Sequence, residues 1–247
     1  MCRGLEQLQA TSLSALADTL LQDPEDCASQ TNPNLLVHRE RVQDPSGEAP
    51  PREQACRVEN FVCTSPGWAE VSALLNGVCA QLFGEEAVLF KDKVNYKLPG
   101  GGGFKPHQDV TAYKSEELAT THISVMVAID PADCPELGPL EVALGEHTNG
   151  VVRNTHGVID ADVEAGMTFT PLMVAATDVV FFSSYLPHRS QPNTHPTRGR
   201  RLAYLTYNPA SQGEHHGAYY AAKLAAFADG TAGSISINDD FSGTIVQ

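Results

Sequence analysis

Two histidines and an aspartate are the residues of this 247-residue chain best suited to hold a reactive metal. Pro106-His107-Gln108-Asp109 sets an imidazole and a carboxylate two positions apart, and along a strand or its edge such residues point to one side. His188, in Tyr185-Leu186-Pro187-His188-Arg189-Ser190, follows the apolar run Val179 to Phe182 and is the best-placed third ligand. Two histidines and one carboxylate on one face of an octahedron leave three positions open, the arrangement of non-haem iron(II) oxygenases. Those positions admit a bidentate keto acid and then O₂. An H-x-D pair alone is a weak signal, because a surface or structural pair has the same spacing. The basic pair Arg200-Arg201, which leads into Leu202 to Tyr207, strengthens it. A guanidinium forks a carboxylate bidentately, as the far end of 2-oxoglutarate requires. On a strand only one of two adjacent arginines can face inward.

The elements that must position these residues change character along the chain. Leu5, Leu8, Leu13, Leu16, Leu20 and Leu21 recur near helical spacing. Gln22 to Pro51, rich in Asp, Pro, Asn and Gln, reads as a loop or weakly ordered surface segment, and whether it closes over a substrate is left open by the sequence. Trp68 to Phe83 predicts a helix stopped by Gly84. Val88 to Leu98 alternates as a strand, and Pro99 with Gly100 to Gly103 forms a tight turn that presents His107. That glycine run lacks the following Lys-Ser/Thr of a phosphate loop. Ile123 to Ile129, Val179 to Phe182 and Arg201 to Tyr207 read as further strands, Tyr219 to Phe227 as a late helix, and the polar tail from Asp229 as a mobile end. Strands separated by Gly, Pro and Asn turns predict an antiparallel sandwich or barrel.

Composition narrows the function. A net charge of -14 argues against phosphate-neutralising nucleic-acid binding and against docking on anionic lipid. Cys2, Cys27, Cys56, Cys63, Cys79 and Cys134 are scattered without a C-x-x-C pair and read as reduced thiols. Neither a signal peptide nor a membrane span is visible, so the expected place is the cytoplasm and the expected partner a small-molecule substrate.

Several segments in order resemble the phytanoyl-CoA dioxygenase family of Fe(II)/2-oxoglutarate oxygenases. Asn95-Tyr96-Lys97-Leu98-Pro99-Gly100 leads into His107-Gln108-Asp109 as in that family. Gly138-Pro139-Leu140-Glu141-Val142 and Gly145-Glu146-His147 resemble its G-P-L and G-S-H turn, with Glu146 in place of the usual serine. Thr177 to Phe182, His188 to Asn193, Arg200-Arg201 and Thr206-Tyr207-Asn208 resemble its later motifs. The match runs from about Asp92 to Asn208.

The resemblance implies a mainly β fold with flanking helices, a double-stranded β-helix (jelly-roll, cupin-like) core. The expected layout is one domain over 1–247: a helical and irregular part (1–87), the jelly-roll core (88–210), and a C-terminal helix and tail (211–247). It implies Fe(II) on His107, Asp109 and His188, with 2-oxoglutarate and O₂ as co-substrates and ascorbate as the reductant in an assay. Arg200 matches the arginine that pairs with the distal carboxylate, and Arg201 is the fallback. Ser124 or Thr121 adds a hydroxyl to the co-substrate, and Asn95 and Lys97 share a strand face that reaches co-substrate or substrate. Halogenating relatives lack the carboxylate, so Asp109 favours hydroxylation or desaturation.

The stretch Lys97 to Asp109 resembles the branch that hydroxylates small aminoalkylphosphonates, which favours a compact polar or zwitterionic substrate over a fatty acyl or natural-product one. A non-catalytic jelly-roll binding protein and a zinc hydrolase on the same ligands are the competing readings. Of the remaining histidines, His122, His147, His156 and His195 read as structural or exposed, while His215 and His216 have a chance of facing the barrel mouth. Tyr113 reads equally as pocket lining or core.

Overall fold

The computed structural model describes residues 10–21, 35–42, 50–113, 119–228 and 241–245. Thirteen strands are assigned in them: β1 (Leu36–Val42), β2 (Arg52–Glu59), β3 (Ala87–Lys97), β4 (Phe104–His107), β5 (Ile123–Ala128), β6 (Leu140–Ala143), β7 (Asn154–Thr155), β8 (Val158–Ile159), β9 (Phe169–Pro171), β10 (Val179–Ser183), β11 (His188–Ser190), β12 (Arg200–Pro209) and β13 (Phe241–Ile245). The helices are α1 (Ala10–Thr19), α2 (Pro66–Phe83), α3 (Ala161–Glu164) and α4 (His216–Ala228).

The strands form two antiparallel sheets, the jelly roll expected. The larger has the order β10-β5-β12-β3-β2-β1-β13 and the smaller β7-β8-β4-β11-β6-β9. Alternation along the larger sheet gives it two unlike faces. Val58, Val94, Tyr96, Val125, Val127, Ala203 and Leu205 point outward and pack with Leu13 and Ala17 of α1 and with Trp68, Val71 and Leu75 of α2. Met126, Ala128, Leu202 and Tyr204 point inward and meet Leu140 and Val142 of the smaller sheet. The rest of the inward face is polar: Arg57, Glu59, Lys91, Lys93, Asn95, Lys97 and Arg200 are all at most 6% exposed. The sheet is thus buried on both sides, and its charged half forms the floor of the site.

Helix α2 starts two residues before the expected Trp68, because Pro66 is pre-set for a first helical turn. It ends as expected at Gly84, whose φ of 75° and N–H to the Ala80 carbonyl make a left-handed cap. Two expectations need correction. The loop predicted from Gln22 to Pro51 contains β1, which pairs with β2 along its whole length. Its residues 22–34 and 43–49, and with them the question of closure, lie outside the described residues. The tail beyond Asp229 contributes β13, paired antiparallel with β1 from Leu36↔Ile245 to Glu40↔Phe241. Strand β1 (LVHRERV) escaped sequence reading because it turns His38 and Glu40 inward, so its buried face is not wholly apolar.

The turn after η-type residues Pro135–Leu137 fixes how the smaller sheet meets the larger. Gly138 has φ 58°, and a Cβ there would stand 2.2 Å from the Gln191 carbonyl oxygen. Its own carbonyl accepts from Arg200 Nη2 at 2.6 Å. Gly138→Ala is therefore expected to cost on the order of 2–4 kcal/mol, from left-handed strain plus overpacking. Chemical denaturation compared with wild type measures it, and a loss below about 0.5 kcal/mol would show that the 191–192 backbone yields freely.

Candidate metal centre

Strand β4 ends on His107, and β11 begins on His188 directly opposite it in the antiparallel register. This pairing brings the two rings to a centroid distance of 4.1 Å. Asp109 does not continue the strand: Gln108 is extended, and Asp109 opens a 3₁₀ turn (Asp109–Ala112) that swings its carboxylate back toward the rings. Same-side convergence therefore comes from a turn rather than from strand alternation. The Gln108 side chain holds that turn, donating to the carbonyls of Gly150 (2.8 Å) and Tyr185 (2.6 Å) and accepting from the Val152 N–H at 2.9 Å. Sequence reading assigned Gln108 no role.

The donor set suits a metal. Nδ1 of His107 lies 2.7 Å from the Lys105 carbonyl oxygen, and Nδ1 of His188 lies 2.9 Å from that of Leu186. A carbonyl can only accept, so each ring carries its proton on Nδ1 and presents a bare Nε2. Those Nε2 atoms lie 3.9 Å from Asp109 Oδ1 and 3.9 Å from Oδ2, respectively. One ligand atom from each residue falls within 4.8 Å of the others, and all three residues are buried. Burial lowers the pKa of both imidazoles and keeps them neutral, the form that ligates. Burial alone would raise the Asp109 carboxyl, but nearby Lys93, with Lys91 adding to it, outweighs burial and holds the group well below the usual carboxylate range. Lys93 was missing from the sequence-derived site; its Nζ stands 3.6 Å from Asp109 Oδ1.

His107 and His188 line a small cavity together with Arg57, Lys93, Asn95, Ser190, Arg200 and Tyr204, among others. Arg200 is 2% exposed and spends Nη2 on Gly138, while its Nε and Nη1 have no hydrogen-bond partner among the described residues. Such orphaned guanidinium donors fit a carboxylate. Arg201 does not fit the fallback role: alternation turns it to the outer face, where it binds Asp130 at 2.7 Å, Asp18 at 2.5 Å and Ser14 Oγ at 2.8 Å. Asn95 faces the cavity and accepts from Arg57 Nε at 2.8 Å. Lys97 lies on the same strand face but donates to Ser190 Oγ (2.7 Å) and the Gln191 carbonyl (2.5 Å), so it braces β11 instead of lining the cavity. Ser124 is buried on the inward face, paired with Thr206 Oγ1 at 3.1 Å and away from the cavity lining. Thr121 is exposed and engaged with Gln212.

The other histidines separate cleanly. His147 and His156 are exposed, and His195 accepts two backbone N–H groups of its own loop. His215 Nε2 lies 2.6 Å from the Gln212 carbonyl oxygen, and His216 is held by buried Asp92 at 2.8 Å. No helix among the described residues is long and apolar enough to cross a membrane.

The chain is similar to proteins of known activity. It is 41% identical over 148 residues to a methylphosphonate hydroxylase of Gimesia maris, covering 60% of this chain and 55% of that protein. It is 37% identical over 175 residues to a 2-aminoethylphosphonate dioxygenase of an uncultured bacterium, covering 70% and 66%. The chain thus spans between about half and two thirds of the length of these curated relatives. Among solved structures, EctD from S. alaskensis with 2-oxoglutarate and 5-hydroxyectoine matches with a TM-score of 0.64 at 23% identity, over 84% of this chain and 71% of that one. AviO1 from Streptomyces viridochromogenes matches at 0.59 and 21%, over 81% and 85%. These two likenesses establish the shared fold. The profile described as Phytanoyl-CoA dioxygenase (PhyH) matches residues 18–202, well over half of the chain, which therefore belongs to the phytanoyl-CoA dioxygenase family.

Proposed function

We propose that this protein is an Fe(II)- and 2-oxoglutarate-dependent dioxygenase that hydroxylates a small phosphonate. The observation that carries the reading is the His107–Asp109–His188 donor set, whose two histidines share one cavity with Arg200, a residue whose Nε and Nη1 have no partner among the described residues. Two bare Nε2 atoms and an ionised carboxylate are a facial set for ferrous iron. Iron bound there supplies the O₂-dependent oxidation that converts 2-oxoglutarate to succinate and CO₂ and a substrate C–H to C–OH. Arg200 is the residue that binds the distal carboxylate of the keto acid. Lys93 pairs with Asp109, and it presents a second cation to an anionic occupant. The hydroxyl of Ser190, fixed by Lys97, is a further donor or acceptor toward the co-substrate. A tetrahedral zinc hydrolase would leave the Arg200 donors without an occupant.

The phosphonate class is supported by the names of the two bacterial relatives and by the cationic lining of a small cavity. Cys56, Cys63, Cys79 and Cys134 are free, in keeping with a reducing cytoplasm.

Succinate formation under air with Fe(II), ascorbate and 2-oxoglutarate tests the reading. Methylphosphonate, 2-aminoethylphosphonate, free amino acids and an acyl-CoA are offered in turn. A phosphonate is expected to stimulate turnover. Stimulation by an amino acid or the acyl-CoA alone would retain the oxygenase and remove the phosphonate. Turnover without 2-oxoglutarate would overturn the class.

Two substitutions separate the roles. Asp109→Ala is expected to weaken Fe(II) binding on the order of 100-fold and to abolish succinate formation, because it removes a ligand and strands buried Lys93. Arg200→Met is expected to raise the KM for 2-oxoglutarate on the order of 100-fold with Fe(II) binding retained, the loss typical of truncating one side of a buried charged pair. An unchanged 2-oxoglutarate KM would reassign the distal carboxylate to another cation, with Arg57 the next candidate.

A further inference from the structure

The C-terminal helix reaches the cavity through one buried carboxylate. Helix α4 presents His216, Tyr220 and Lys223 at spacings of four and three residues, so all three fall on one face. The first two fasten the helix to β3. His216 Nε2 lies 2.8 Å from Asp92 Oδ1, and the Tyr220 hydroxyl donates to the Asp92 carbonyl at 2.6 Å. Lys223 reaches past β3, and its Nζ donates to Glu59 Oε2 at 2.6 Å. Glu59 is 0% exposed on β2, two residues beyond Arg57 and on the same face of the strand. Its other oxygen accepts from Arg57 Nη1 at 3.4 Å and lies 3.4 Å from His38 Nε2. Burial alone would raise the Glu59 carboxyl, but Lys223, with Lys91 and His38 adding to it, holds the group well below the usual carboxylate range.

Arg57 is where this carboxylate meets the chemistry. It is 4% exposed and lines the same cavity as His107, His188 and Arg200. Its Nε donates to Asn95 Oδ1 at 2.8 Å, and its guanidinium lies over the Phe104 ring at 5.1 Å. Arg57 stands on β2 and Arg200 on β12, the strands to either side of β3. A keto acid held by Arg200 therefore leaves Arg57, across the row, for a second anion. How much positive charge Arg57 offers depends on how closely Glu59 holds it. The contacts of 2.6 Å with Lys223 and 3.4 Å with Arg57 show the carboxylate drawn toward the helix. A buried carboxylate that loses one cation leans on the next, and a guanidinium so paired attracts an incoming anion less.

We infer that Lys223 is a positioning residue for substrate binding: by drawing Glu59 toward α4, it leaves the guanidinium of Arg57 available to the anionic phosphonate group, on the side of β3 away from Arg200. This assignment rests on the phosphonate reading given above.

Anaerobic calorimetric titration of the Fe(II)-loaded protein tests it, with 2-oxoglutarate added first and methylphosphonate second, and with KM and kcat of phosphonate-stimulated succinate formation measured in parallel. Lys223→Met is expected to weaken methylphosphonate binding about tenfold and to raise its KM to match, while kcat and 2-oxoglutarate binding stay within about twofold. Lys223→Arg keeps the charge and should stay within about twofold of wild type. Adding Glu59→Gln to Lys223→Met removes the charge that the lysine held, and should recover most of the lost affinity, which a purely structural role for Lys223 would not do. Should that double variant not fold, the contrast between Lys223→Met and Lys223→Arg decides. Wild-type phosphonate affinity in Lys223→Met, no recovery in a folded double variant, or an equal loss of 2-oxoglutarate affinity would overturn the inference and leave the substrate class standing. A wild type that binds 2-oxoglutarate but no phosphonate would remove the substrate class, and the inference with it.

Discussion

Buried positive charge sets the terms on which this protein is built. Lys91, Lys93 and Lys97 share one face of β3, and Arg57 and Arg200 stand on the strands to either side; none of the five is more than 6% exposed. Few carboxylates oppose them. Asp109 faces Lys93 at 3.6 Å, and Glu59 is shared between Lys223 at 2.6 Å and Arg57 at 3.4 Å. An uncompensated charge inside a protein costs several kcal/mol. The strain shows on Lys93, whose ammonium is pushed down to about 7 by burial, with Lys91 and Arg57 adding to the fall and Asp109 opposing it. A chain that carries a net charge of -14 thus keeps a cationic interior.

The larger sheet tolerates such a face because its other face is a continuous apolar core. Val58, Val94, Val125, Val127 and Leu205 bury themselves under α1 and α2, and Tyr96 fastens the sheet to α1 through a 2.8 Å hydrogen bond to the Ala17 carbonyl. Stability resides on one side of the sheet and chemistry on the other. Arg200 and Arg201 show the division within two residues. Arg201 locks α1 to the strand through Asp18 and Ser14, while Arg200, one position earlier, points into the cavity with two donors unspent.

This division explains what was legible in the sequence. Strand β3, helix α2 and strands β5, β10 and β12 announce themselves because their outward residues are apolar at regular spacing. The triad was legible as a constellation of types: His107 and Asp109 in one motif, His188 after an apolar strand. Strand β1 and the residues Arg57 and Lys93 were not, since a buried face made of charges reads as a solvated one. Strand alternation sorted the adjacent arginines only as an inward and an outward member; the family resemblance favoured Arg200, and the register against Lys97 is what sets Arg200 on the inward face. His122 looked like an ordinary structural or exposed histidine, and only its surroundings reveal that it is buried with neither nitrogen engaged.

The cationic row on β3 is a feature that the acidic exterior does not undo. From Lys97 to Lys91 it spans six steps of the strand, about 20 Å at the rise of an extended strand. Arg200 lies across from one end and Thr206 from the other, and Asp109 meets the row at Lys93 between them. The field of the acidic exterior is screened over roughly 8 Å at physiological ionic strength, whereas the buried cations act through a medium that screens them far less. The charge that the barrel interior presents is therefore set by these few side chains and not by the net charge of the chain.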